Sequence, residues 1–275
     1  MDNSFDCMYY GKGRYIGGLD EVGVVDIAGP LVAACVVLPK FELQRPDVKL
    51  FEVDDSKKVP ENFRKQLAEI IWQNALAIGI GEVQPAELDA IGKASAIRLA
   101  MARAVVACRT TIKNRPLRPD FLMVDAGKGV IAPLAIPQKG IAEGGTKSLC
   151  IAAAGIIAKV YRDDIMIKLH QSYPYYKWNS NKGYPCEDHF LGLDKRGVIP
   201  GLHRLKDWPF KKSSRGSEAI EWQIRRRKWR AVTERELSME IAGGAWTLNP
   251  QSSEDSMPSN DSTLKTHLIG SASMT

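Results

Sequence analysis

The sequence predicts an α/β domain with a mixed central sheet flanked by helices. Two observations lead there. The apolar segments that open the chain lie close enough together to pair as neighbouring antiparallel strands, and strand-like runs then alternate with helical ones. A third is a long Ala- and Ile-rich run without proline in the second half, which reads as a buried helix against such a sheet.

Taken in order, residues 15–38 hold two apolar stretches around the turn-rich segment GVVDIAGP, a strand pair with Asp20 and Glu21 at the end of its first strand. Pro60 can open a helix whose apolar Phe63, Leu67, Ile70 and Ile71 recur at helical spacing, and residues 75–83 follow as a third strand. A second helix is expected over 93–108, with Arg98 and Arg103 exposed, leading to a strand over 121–124 that Asp125 ends. From Ser148 the run SLCIAAAGIIAKVYRDDIMIKLH predicts the long helix, with Asp163 inside it. No internal repeat is evident.

A chain of 275 residues, 44% hydrophobic and 25% charged, suits one substantial domain or at most two. Its longest mainly apolar run, 27–38, is broken by Gly29 and Pro30 and is too short to span a bilayer. The first residues contain no apolar stretch of the signal-peptide kind. The five cysteines are scattered with no C-x-x-C pair, so reduced thiols and a cytoplasmic location are expected. A net charge of +6 is compatible with a polyanionic partner. Composition shifts after residue 210. Residues 211–230 hold eight Lys or Arg against two Glu, with Trp222 and Trp229 interleaved, so 211–242 reads as a basic helical extension. Residues 243–275 are rich in Ser, Asn, Thr and Gly and read as a flexible tail.

The chemistry-bearing residues are acids. Asp20 and Glu21 point to opposite faces of an unbroken strand and share a site only where the chain turns, which Gly23 permits. Taken alone the pair reads as a solvated turn. Asp125 sits at the carboxyl end of a sheet strand, where ligand sites of α/β folds lie, or else serves as a cap. Asp163 in an apolar helix needs a cation: a metal ion, or simply Lys159 or Arg162. Carboxylate oxygens suit Mg²⁺ or Mn²⁺, and a two-metal site would align a water for in-line attack on a phosphodiester.

Several ordered motifs then agree. GLDEVGVVDIAGPLVAACVVLP resembles the opening strand pair of ribonuclease HII, DDSKKVPENFRKQL its Asp-Ser-Lys-Lys segment, and FLMVDAG the strand bearing its third acid. ELDAIGKASAIRLAMARAV, GGTKSLCIAAAGIIAKVYRDDIM and YPYYKWNSNKGYPCEDHFLGLDKRG are similar to further segments of that family, so the resemblance covers roughly 14–210. It implies a ribonuclease H-like fold and an endoribonuclease acting on RNA–DNA hybrid or ribonucleotide-containing duplex DNA as a monomer. It also implies that Asp20, Glu21, Asp125 and Asp163 hold Mg²⁺ or Mn²⁺ at a two-metal site. Tyr184 is implied to stack at the RNA-to-DNA junction, with Ser56, Lys57, Lys147, Ser148 and Lys182 as phosphate contacts.

The resemblance has gaps. Where the family reads Gly-Arg-Gly after its acidic pair and uses that turn to sense the 2′-hydroxyl, this chain has Gly23-Val24-Val25, and Val25 stands where a glycine could adopt angles costly for a β-branched residue. Asp26 resembles the Gly-Asp of ribonuclease HIII, though Asp163 stands where that family usually has Glu. GGTKS lacks the acid often found before its lysine, and His203-Arg204-Leu205-Lys206-Asp207 departs from the family's Ser-Phe ending. EWQIRRRKWR suits phosphate contact with stacking, or a helix packed by its tryptophans. These departures leave a second expectation, a substrate-shifted or catalytically impaired nucleic-acid binding protein on the same fold.

Overall fold

A computed structural model describes residues 4–40, 59–125 and 132–206. All belong to the first of two units, Met1–Ala231 and Val232–Thr275. The basic extension 211–242, the tail 243–275, and Ser56 and Lys57 lie outside the described residues.

Two strands without a charged residue before their ends form the centre. Strand β1 (Ile16–Val22) pairs antiparallel with β2 (Leu31–Val37), Asp20 opposite Ala34 and Glu21 opposite Ala33. Every residue of β2 is buried, as a strand covered on both faces requires. The pairing is as the sequence predicts, and the connection is the turn-rich segment 23–30. Strand β3 (Ala77–Val83) runs antiparallel to β2, and the short β4 (Arg109–Thr110) closes that edge. On the other side β5 (Phe121–Asp125) runs parallel to β1, and β6 (Gln138–Ile141) parallel to β5. The sheet is therefore six-stranded and mixed, in the order β4-β3-β2-β1-β5-β6.

Alternation along the strands divides two cores. Ile16, Val32, Ala34, Val36 and Met123 face α2 (Glu61–Asn74) and the long α6 (Leu149–Ser172), whereas Leu19, Leu31, Ala33, Leu122 and Val124 face α4 (Lys93–Val106). Pro60 stands at the N-cap of α2, as predicted, and the buried stripe Leu67, Ala68 and Ile71 supplies its apolar face. Helix α6 lies tight on β1: a Cβ at Gly18 would come 2.2 Å from the carbonyl carbon of Cys150, so only glycine fits there.

Shorter elements complete the domain: α1 (Ser4–Cys7), α3 (Pro85–Ile91), α5 (Gly144–Lys147), α7 (Trp178–Asn181) and α8 (Glu187–Arg196). Helix α1 has one clear structural task. Asp6, buried, accepts from Ser148 Oγ at 2.7 Å and from Leu149 N at 2.7 Å, while Ser148 Oγ accepts from Ile151 N, so the start of α6 is doubly capped. Among the described residues no helix is long and apolar enough to cross a membrane.

Candidate active site at the carboxyl ends of β1 and β5

Because β1 and β5 are parallel with Leu19 level with Val124, the next residues along, Asp20 and Asp125, stand side by side at the carboxyl edge. Strand alternation puts both on the face covered by α6, and Glu21 on the face covered by α4. The strand does not break at the acidic pair; it runs to Val22, and the turn comes at Gly23 with φ +92°. A Cβ at Gly23 would also meet Arg162 Nε at 2.4 Å, so position 23 needs glycine on both counts.

Asp20 Oδ1 accepts from the Glu21 backbone N–H at 2.8 Å, and Asp125 Oδ1 accepts from Gly144 N at 3.1 Å. A backbone donor thus orients each carboxylate, and a carboxylate offers several lone pairs. The Gly144 contact also places GGTKS, the segment lacking the family's acid, directly beside Asp125. Neighbouring carboxylates on an open strand edge fit a divalent ion that keeps most of its waters and takes only one or two protein ligands besides a substrate phosphate. Among the described residues no three His, Cys, Asp or Glu side chains are gathered closely enough to form a closed metal cage.

Asp163, the fourth expected acid, is ion-paired within the fold. Its side chain is 4% exposed, with Lys159 Nζ 2.5 Å from Oδ1 and Arg64 3.4 Å from Oδ2. Two cations therefore balance one buried carboxylate. Arg64 escaped the sequence reading, although a lone arginine at helical spacing from Leu67, Ala68 and Ile71 marks a cation on a buried face. Arg162, the other expected partner of Asp163, instead pairs with Asp26 at 2.8 Å. Burial pulls its guanidinium pKa below the ordinary value, and the charges of Asp26 and Asp163 act against that pull.

The expected substrate contacts separate into two groups. Ser148 is a correction: fully buried and occupied as the α6 cap, it has no face to offer a phosphate. Lys182 is also turned inward, 8% exposed, its Nζ donating to Asn179 O at 2.5 Å and lying 3.4 Å from Glu61. Lys147 is exposed, though its Nζ donates to Ala142 O at 2.7 Å. Val25 and Tyr184 are exposed, at 62% and 52%. Val25 also lacks the positive φ that a glycine there could have used, so the branched side chain sits without backbone strain.

Beneath Tyr184 lies a buried network that the sequence did not announce. Trp178 Nε1 donates to His189 Nε2 at 3.1 Å, and Ile199 N donates to His203 Nδ1 at 2.9 Å. With Nε2 accepting from Trp178, neutral His189 carries its proton on Nδ1, 3.1 Å from Tyr184 O, and His203 Nε2 lies 3.3 Å from His189 Nε2. Burial holds His189 down at about 4 and His203 well below the usual histidine range. Tyr176 stacks on Trp178 at 4.9 Å over the same cluster.

An α/β/α sandwich with acids at the carboxyl edge of a parallel strand pair is the architecture of a ribonuclease H-like hydrolase. The solved ribonuclease H2 of Pyrococcus horikoshii has this fold, with a TM-score of 0.58 at 22% identity over 78% of this chain and 99% of that one. Bst-RNase HIII, solved in complex with Mn²⁺, gives 0.54 at 15% identity over 78% and 71%. Sequence places it more narrowly. The Ribonuclease HII family profile matches residues 17–212. A ribonuclease HII of Lactobacillus delbrueckii is 42% identical over 74% of this chain and 72% of its own, and that of Bacteroides thetaiotaomicron 40% identical over 72% and 91%. The chain belongs to the ribonuclease HII family and is an endoribonuclease of the ribonuclease H type.

Proposed function

We propose that the chain cuts the phosphodiester bond on the 5′ side of ribonucleotides, either within the RNA of an RNA–DNA hybrid or singly embedded in duplex DNA, leaving 3′-hydroxyl and 5′-phosphate ends. The observation that carries this reading is the juxtaposition of Asp20 and Asp125 on neighbouring parallel strand ends, with Glu21 next in sequence. Asp20 and Asp125 would hold Mg²⁺ or Mn²⁺, as the Mn²⁺ complex of the HIII neighbour suggests, with the Glu21 side chain on the other face of the strand reaching the ion only if the strand end rearranges. Bound there, a pair of such ions would supply activation of the attacking water and charge stabilisation at the leaving 3′ oxygen. Asp20 and Asp125, oriented by backbone N–H groups, fix where the scissile phosphate is drawn in.

Asp163 is assigned a structural role in this reading, because releasing it toward a metal would strand Lys159 and Arg64 in a half-buried pocket. The turn Gly23-Val24-Val25 and Tyr184 meet the ribonucleotide, Lys147 a phosphate, and Ser56 and Lys57 further phosphates. In this reading residues 14–210 are the catalytic domain, 211–242 a basic extension that adds nucleic-acid affinity, and 243–275 a tail. The protein works as a cytoplasmic monomer.

The test is cleavage of a DNA duplex carrying one ribonucleotide, alongside a continuous hybrid, with Mg²⁺ or Mn²⁺ and with chelator. Metal-dependent cutting 5′ to the single ribonucleotide is expected. Cutting of the hybrid alone would show a shifted substrate, the outcome the altered turn favours. Binding without cutting of either would overturn the reading.

A further inference from the structure

The two edges of the sheet carry opposite charge. Asp20 and Asp125 stand at the carboxyl edge of β1 and β5, whereas the chain segments at the amino edge are basic. Residues 9–15 lead into β1, and residues 108–120 pass through β4 and on to β5. Together they hold Lys12, Arg14, Arg109, Lys113, Arg115 and Arg118 against a single acid, Asp120. That acid is engaged by the fold: its Oδ2 accepts from Arg14 N at 3.1 Å and its Oδ1 from Tyr15 N at 2.9 Å, which joins the two segments. Arg109 is half-buried, its NH1 donating to Val106 O and Cys108 O, and the other five cations are exposed. Among the described residues none of the six is ion-paired with a carboxylate.

The cations sit on a firm support. β4 runs antiparallel to β3 with Thr110 opposite Ala77, the first residue of β3, so the chain leaves β4 beyond the amino edge. A tight turn closes there: Thr110 N donates to Arg115 O at 2.8 Å, Asn114 N to Thr110 O at 2.9 Å and Arg115 N to Thr110 Oγ1 at 3.0 Å. Ile112, 89% exposed, and Lys113 lie on this turn. From it the chain travels to β5, four positions across the sheet, which at the usual strand spacing strings the cations over roughly 20 Å. That length matches about six steps of the phosphates along one strand of a duplex. The six steps of β1 from Ile16 to Val22 put about another 20 Å between this rim and the acids at the far edge.

We propose that the amino edge of the sheet is a second nucleic-acid site, one that holds the phosphate backbone of a duplex segment other than the segment at the acids and reads no sequence. Exposed guanidinium and ammonium groups without carboxylates of their own draw in a polyanion and release its counterions, and the arginine forks suit phosphate oxygens. A folded protein partner calls for an apolar centre depleted of charge, whereas these two segments expose one large apolar side chain, Ile112. Duplex DNA is stiff over about 150 bp, so a short straight duplex seated on the acids does not also follow a rim at the opposite end of the strands. One copy of the protein therefore bridges two segments, and can pass from one to the other without first returning to bulk solvent.

The test uses the full chain in chelator with two DNA duplexes of about 15 bp, far below the persistence length, one bearing a donor fluorophore and the other an acceptor. The wild type should bring the two together and give energy transfer. The triple variant Lys113→Gln, Arg115→Gln, Arg118→Gln should lower that signal by about 10-fold or more, and the double variant Arg115→Gln, Arg118→Gln should lower the log–log salt slope of second-duplex binding by about 2, one for each cation removed. With Mg²⁺ present, kcat and KM of the triple variant on a short duplex carrying one ribonucleotide should stay within about 2-fold of wild type, which also reports that the variant folds. The proposal is overturned if the wild type gives no energy transfer, if the signal survives the triple substitution, if the slope is unchanged, or if cleavage of the short duplex falls in step with bridging. Poly-glutamate that displaces the second duplex at equal charge would overturn it as well, and give the edge to an acidic protein. A wild type that bridges but cuts nothing would defeat the functional reading and leave the second site standing.

Discussion

The two ends of β1's connection to its surroundings are built on opposite terms. At the strand edge, Asp20 and Asp125 are negatively charged groups oriented by backbone N–H donors. A few residues further, turn 23–30 has its inner carbonyls engaged by Arg162 and Arg204. The difference teaches which part of the site is finished by folding and which by a ligand. Paired strand-end carboxylates suit a divalent cation that keeps its waters, whereas the inner carbonyls of the turn are matched by donors once the chain has folded.

The sharpest way to break that contrast is to remove one strand-end carboxylate. Asp125→Asn should lower the cleavage rate by at least about 100-fold while leaving affinity for substrate duplex within about 2-fold, because it deletes a metal ligand and almost no binding surface. Single-turnover cleavage and anisotropy check it, and unchanged cutting would remove Asp125 from the site. On the finished side the largest loss is in stability. Arg162→Met leaves Asp26 and the carbonyls of Ala28, Pro30 and Lys182 without their buried donor, which should cost about 3–5 kcal/mol in urea unfolding.

These two regions are not equally legible in the sequence. The strand ends are, because alternation and a carboxylate after FLMV are local signals; so are α2, from its spacing and Pro60, and α4 and α6, from their Ala-rich, proline-free composition. β4 and β6 were missed, being short and weakly apolar, QKGI in the second case. The arginine frame was invisible for a different reason. Arg204 meets Gly23 across 181 residues of chain, and no periodicity reports a contact of that range. Ser148 was misplaced because a polar residue at a helix start satisfies a cap as readily as a phosphate, and only Asp6 on the N-terminal α1 decides between them.

The histidine network under Tyr184 extends the contrast to pH. An unfolded chain takes up a proton at His189 near 6.5, whereas the folded protein resists until about 4. Its contribution is therefore present in full above about pH 6.5 and is lost as pH falls from there toward 4, up to roughly 3 kcal/mol for this residue. His203, lowered by burial and by His189 beside it, adds in the same direction. Denaturant unfolding from pH 7.5 down to pH 5 should show stability falling, and His189→Gln should flatten the profile; a profile that is already flat would mean that one of the two rings is charged in the fold.

The smallest effects separate two adjacent acids of α6. Asp163 is buried between Lys159 and Arg64, whereas Asp164 meets Lys65 at 3.6 Å with both side chains about two-fifths exposed. Asp163→Asn should cost about 1–3 kcal/mol, since Arg64 and Lys159 lose the charge that balances them, and should slow cleavage far less than Asp125→Asn does. Should it abolish cutting with its melting temperature unchanged, Asp163 is a metal ligand after all, and its ion pairs are what the metal displaces. Lys65→Ala should shift stability by no more than about 0.5 kcal/mol, because a solvent-screened pair gains little beyond what water already provides. A larger loss would mean that the Lys65 side chain packs on α6 through its methylenes, and combining it with Asp164→Ala would tell charge from packing, since a pairwise term vanishes once both partners are gone.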